Sequence, residues 1–147
     1  MGRFYEFACL NCDFQINLLL GSGFLGPTCE DRKNSVRRQT FAKEWLRLVK
    51  TNPDIYFRPE TKLLQCLVCH NTETDADYTL FTSKPNNDFE SEYVTDWLGE
   101  RHYLLKRFEN NCSLCGSRLH EVDVNEEDLY CPECHRILEL VSLGNWD

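Results

Sequence analysis

Eight of the nine cysteines stand as four Cys-x-x-Cys pairs: Cys9/Cys12, Cys66/Cys69, Cys112/Cys115 and Cys131/Cys134. A Cys-x-x-Cys turn sets two sulfurs on one side of a tight bend, and a second turn supplies the opposite edge of a tetrahedron. Four turns therefore suffice for two zinc ions, each held by four thiolates. With every ligand drawn from the protein, no coordination position is left for water or substrate, so the metals read as structural and no zinc catalysis is expected.

Fifteen residues separate Cys115 from Cys131, a spacing that fits a zinc ribbon built from the last two turns. By elimination Cys9/Cys12 would pair with Cys66/Cys69, across fifty-three intervening residues. The residue after the second cysteine of such a turn commonly bends to positive φ, and here it is Asp13, His70, Gly116 or His135. Glycine enters that region freely, and Asp and His are enriched there. His70 and His135 are thus turn residues rather than ligands, since four thiolates already fill each site.

A disulfide framework is the competing use of these cysteines and needs an oxidising compartment. The opening MGRFYEFACLNC has no apolar core of signal-peptide type, and no stretch reaches the roughly eighteen apolar residues of a membrane span. A cytoplasmic, membrane-free chain is the expectation, and in reducing surroundings the paired turns favour metal. At 147 residues with 41% hydrophobic content the chain can bury one ordinary core or two small ones. A structural zinc site adds on the order of 10 kcal/mol of folding free energy to such a lobe.

The elements that must position the turns follow from periodicity. Arg3–Phe7 and Phe14–Leu20 read as strands around the first turn, Lys62–Leu67 and Tyr78–Thr82 around the second. Tyr103–Phe108 leads into the third, and Arg118–Val124 and Arg136–Leu143 complete a ribbon. Thr28 with Asp31 fits a capping box, and Phe41, Trp45, Leu48 and Val49 recur at helical spacing until Asn52-Pro53, so the region 32–50 reads as a helix. Glu90–Leu98 reads as a short helix ended by Gly99, and Ser83–Asp88 as a linker. The predicted fold class is α+β, with two zinc-ribbon-like antiparallel β lobes. The first lobe, 1–88, carries the inserted basic amphipathic helix, and the second, 89–147, is a C-terminal ribbon.

The aromatic strand Phe4-Tyr-Glu-Phe-Ala-Cys9, the loop Gly21-Ser-Gly23 with Pro27, the basic helix, the strand Tyr78-Thr-Leu-Phe-Thr-Ser-Lys-Pro85 and Tyr103-Leu-Leu-Lys-Arg-Phe108 form an ordered set. In that order and spacing the chain resembles a group of small, uncharacterised bacterial zinc-ribbon proteins. The resemblance implies two zinc ions and carries no established activity.

Charge is polarised. Residues 32–50 hold seven Lys or Arg against one Glu, a local +6 in a chain of net −8, leaving −14 elsewhere. Two four-thiolate zinc sites would take the total to about −12, which repels a phosphate backbone at long range. The basic side chains Arg32, Lys33, Arg37, Arg38, Lys43 and Arg47 are the candidate partner-binding surface, for another protein first and for nucleic acid as the alternative. The opposing reading is a solvated helix face paired with the chain's own carboxylates.

Gly21-Ser-Gly-Phe-Leu-Gly26 matches a dinucleotide-binding pattern, but Pro27-Thr28 starts the helix after the last glycine and no βαβ repeat follows. Cys29, the odd cysteine, sits near Arg32 and Lys33 with no identifiable base beside it, and reads as a small packed residue. No catalytic triad, P-loop or carboxylate pair stands at workable spacing. A non-enzymatic zinc module is the leading function, with a redox or rubredoxin-like iron protein as the other class, prompted by Cys131-Pro-Glu-Cys134.

Overall fold

The computed structural model describes residues 2–22, 28–85 and 92–146. Ten strands and two helices run along them: β1 (Gly2–Ala8), β2 (Gln15–Gly21), α1 (Cys29–Val36), α2 (Ala42–Thr51), β3 (Ile55–Tyr56), β4 (Thr61–Cys66), β5 (Thr72–Ala76), β6 (Leu80–Thr82), β7 (Tyr93–Thr95), β8 (Arg101–Lys106), β9 (Leu119–Glu121) and β10 (Glu139–Trp146). The class is α+β, with every strand pair antiparallel.

Two compact units form, and the division does not fall at residue 88. Unit 1 comprises 1–28, 59–76 and 110–147; unit 2 comprises 29–58 and 77–109. Unit 1 holds one sheet in the order β10-β1-β2-β4-β5, with β9 also paired to β4. β4 separates two apolar clusters. Alternate strand residues point to opposite faces, so Leu63 packs with Tyr5, Phe7, Leu18, Leu129 and Leu138, while Leu64 and Cys66 pack with Cys112 and Leu119. A strand buried on both faces loses the polar alternation of a half-exposed one, which is why Leu63 to Cys66 are all buried.

Unit 2 packs α1 and α2 with the sheet β3-β6-β8-β7. Its centre is Trp45, fully buried, whose indole Nε1 donates to the Tyr78 carbonyl at 3.0 Å and whose ring meets Tyr78 edge-on. Phe41 packs on Tyr78 and Phe108, as the helical stripe foretold. The single basic helix does not form. Arg37–Phe41 breaks it, closing instead through bonds from Arg38 N to Ser35 O and Gln39 N to Val36 O. Between Val36 and Phe41 no apolar side chain is available to hold a turn against the core.

Two other expectations change. Tyr93–Thr95 is strand rather than helix, as aromatic and β-branched residues prefer. Gly99 at φ 83° closes its hairpin, and Asp96 braces the turn by accepting from Leu98 N, Glu100 N and His102 Nε2, each at 2.9 Å. The His102 bond holds the Asp96 carboxyl below its ordinary range. The strand following the second metal turn is β5, whose polar sequence TETDA hid it; β6 belongs to the other unit. Residues 23–27 of the glycine loop, 86–88 of the linker and 90–91 of the expected helix lie outside the described residues, as does the side chain of Cys29.

Candidate metal centres

Each Cys-x-x-Cys turn is the tip of its own small hairpin. In all four the first cysteine's N–H donates to the carbonyl five residues on: Cys9 to Phe14, Cys66 to Asn71, Cys112 to Ser117 and Cys131 to Arg136, at 2.7–2.9 Å. In three, the fourth residue after that cysteine donates back to its carbonyl at 2.9 Å, from His70, Gly116 and His135. These three have positive φ of 57°, 75° and 62°, as their positions require. Asp13 does not, and the first turn lacks the second bond.

The hairpins assemble into two clusters of four thiols, Cys9/Cys12/Cys131/Cys134 and Cys66/Cys69/Cys112/Cys115, with all sulfurs of a cluster within 4.8 Å of one another. The pairing expected from spacing is therefore wrong. Both clusters lie in unit 1, and they are nested: the first turn meets the last, the second meets the third. The cause is strand pairing. β9 runs back along β4, setting Leu119 opposite Cys66, and β10 runs along β1, setting Glu139 opposite Ala8. The fifteen residues after Cys115 are consumed in reaching from one face of β4 to the other. They do not close a ribbon.

In each cluster the first cysteine of one turn approaches the second of the other: Cys9 to Cys134 at 3.3 Å and Cys12 to Cys131 at 3.6 Å, Cys66 to Cys115 at 3.5 Å and Cys69 to Cys112 at 3.6 Å. A disulfide needs about 2.05 Å. A tetrahedral ion bonded at about 2.3 Å to each sulfur needs edges of about 3.8 Å. The cavities are the right size for such an ion.

The thiols are also poised for one. Phe14's backbone contact lowers the Cys12 thiol, but burial and the thiols of Cys131, Cys9 and Cys134 override it and push Cys12 up to about 12. Cys69 behaves alike, its lowering contact with Asn71 outweighed by burial and by Cys112, Cys66 and Cys115, again to about 12. Side-chain and backbone hydrogen bonds from Ser117 draw Cys115 down to about 6, and the backbone contact with Arg136 draws Cys134 down to about 6. One thiol of each cluster thus ionises readily and another resists, and a bound cation would offset the surroundings that hold Cys12 and Cys69 protonated.

Groups around the sulfurs fix the turns. Glu73 Oε1 accepts from Asn71 Nδ2 (2.6 Å), Ser113 N (2.8 Å) and Ser113 Oγ (2.6 Å), tying β5 to the third turn. Gln65 links the clusters. Its carboxamide accepts from Tyr130 N at 3.1 Å and donates toward Tyr130 O at 2.7 Å, copying a strand partner. The same Nε2 lies within reach of His70 O and Thr72 Oγ1 at 3.2 and 3.1 Å. The rings of His70 and His135 stand 4.8 Å apart. Leucine at position 65 would leave the Tyr130 N–H and carbonyl and the His70 carbonyl, all part-buried, without this partner, each loss costing about 1 kcal/mol. Gln65→Leu should therefore destabilise unit 1 by on the order of 2–4 kcal/mol and speed metal loss from both clusters in a chelator assay. Faster loss from one cluster alone would show that Gln65 serves one turn rather than joining two.

The candidate partner-binding residues separate. Arg37, Arg38, Lys43 and Arg47 are exposed, and Lys33 is half-buried with Glu30 at 3.7 Å. Arg32 is not on that surface. It is buried, donating to Asp77 O at 2.6 Å and to Arg58 O, with its guanidinium 5.0 Å from the Phe57 ring centre. Sequence alone did not show Gln65 or Glu73 as supports of the turns, because neither has fixed spacing to a cysteine. Among the described residues no helix is long and apolar enough to cross a membrane. Comparison with protein-family models, with curated proteins and with solved structures finds no match to this chain.

Proposed function

We propose that the chain is a non-enzymatic zinc protein in which two structural ions hold unit 1 together and the basic segment of unit 2 docks a macromolecular partner. The two closed four-cysteine clusters carry this reading, because a soft four-sulfur tetrahedron suits Zn²⁺ and leaves no position for substrate. Zinc bound this way is a fold component, in keeping with the resemblance to bacterial zinc-ribbon proteins. Elemental analysis of colourless, chelator-free protein should give two zinc ions per chain. One metal, or none, would sink the zinc reading, and a red protein with visible absorption would replace it with iron–thiolate.

The docking surface is Arg37, Arg38, Lys43 and Arg47, with Lys33 at its margin, and the partner is an acidic protein surface. Reversing Arg37, Arg38 and Lys43 to Glu should shift the unfolding free energy by under about 1 kcal/mol, as exposed charges do, while partner capture from the native cell falls. Steep weakening of capture with salt, proportional to phosphates contacted, would move the assignment to nucleic acid. Retained capture with lost stability would end the docking reading.

A further inference from the structure

We propose that β10 is an association edge on which a second copy of this chain pairs, β10 against β10, to give a two-fold dimer. β10 is the outermost strand of its sheet, bonded to β1 on one side, and among the described residues no strand bonds to the other. Such an edge presents unpaired N–H and C=O groups, and monomeric proteins blunt it with lysine, proline or an inward charge. Glu139-Leu-Val-Ser-Leu-Gly-Asn-Trp146 contains no Lys, Arg or Pro, and its only charge is the first residue. A bulge at Val141 is the one protective feature, and it lies near that same end.

The strand's apolar side chains are uncovered. Leu140, Val141 and Leu143 are 50, 59 and 58% exposed. Leu140 stands opposite Phe7 and Leu143 opposite Tyr5, both buried. Directly opposed residues share a face, so the apolar face of the sheet runs out past its own core and stops at open solvent. The edge is also held firm. The Trp146 indole lies over Gly2, where a Cβ would come within 2.2 Å of the ring, and its Nε1 donates to Leu20 O at 3.3 Å. A preformed edge loses little freedom on pairing.

Self-pairing is the occupant that the charges allow. An antiparallel β10–β10 ladder is its own two-fold partner, and in a register centred on Ser142 each Glu139 falls opposite Asn145 of the other copy. No like charges then meet along the ladder, although each chain carries −8. A strongly charged peptide would find nothing to answer it on this strand. The net charge adds a signature. Two anionic chains repel at long range and salt screens that repulsion, so the dimer should tighten as ionic strength rises, opposite to any docking through the basic segment.

Sedimentation velocity on the full chain with its metal, over rising concentration and at low and high salt, tests this alongside hydrogen–deuterium exchange. The expected result is a monomer–dimer shift favoured by salt, with amides of 139–146 gaining protection as concentration rises. Leu143→Lys should weaken the dimer by on the order of tenfold or more, with metal content and circular dichroism unchanged. Should that variant lose metal, Val141→Lys carries the same test on a bulge residue. A chain that stays monomeric at every concentration, a dimer indifferent to both lysines, or protection gained elsewhere would overturn the proposal.

Discussion

Cys131→Ser and Cys9→Ser should give the same result, loss of metal from one cluster with collapse of unit 1, although the two residues lie near opposite ends of the chain. Their sulfurs belong to one cluster. A structural zinc site supplies on the order of 10 kcal/mol, against a total stability of about 5–15 kcal/mol for an ordinary domain, so one lost ligand is enough to decide folding. Cys112→Ser should instead empty the other cluster. Cadmium substitution reads the pairing directly: one ¹¹³Cd signal should correlate with Cys9, Cys12, Cys131 and Cys134, the other with Cys66, Cys69, Cys112 and Cys115. A fragment of residues 101–147 contains half of each cluster and should stay unfolded in circular dichroism even with zinc present. Were that fragment to fold around one metal, the nested arrangement would be wrong.

That nesting marks where local pattern stops being informative. The eight clustered cysteines, the positive-φ residues His70, Gly116 and His135, and the strands around Cys9 rest on short-range rules of turn geometry and alternation, and these were legible. Which turn meets which depends on strand pairing between distant segments, and spacing does not encode that. Two neighbouring leucines show the difficulty. Leu63 and Leu64 look equivalent as sequence, yet one packs with the Cys131 cluster and the other with the Cys66 cluster. A strand shared by two cores reads as a plain apolar run. β5 was missed for the converse reason, since TETDA has no apolar alternation and holds its place through pairing with β4.

Charge gave the other misreading, and the last prediction turns on it. A run of seven basic residues suggests one solvated face, but Arg32 points inward. Its two carbonyl acceptors, on Arg58 and Asp77, are the residues at which the chain leaves and re-enters unit 2. Arg58 Nε lies 3.9 Å from the Asp77 carboxylate, which also accepts from Thr79 N at 3.0 Å, so the fork closes a buried polar knot. Removing one member of a buried charged network typically costs about 3–5 kcal/mol, because the groups left behind have surrendered water without compensation. Arg32→Ala should therefore destabilise unit 2 by that order, read as a lowered urea midpoint, far beyond the effect of reversing Arg37, Arg38 and Lys43 together. Arg32→Lys should recover little, since a single ammonium cannot reproduce a planar fork aimed at two carbonyls. Metal content should remain at two per chain in both variants, because all eight clustered cysteines lie in unit 1. If Arg32→Ala left the midpoint unchanged while weakening partner capture, Arg32 would belong with the docking residues after all, and the knot would be no part of what holds unit 2 closed.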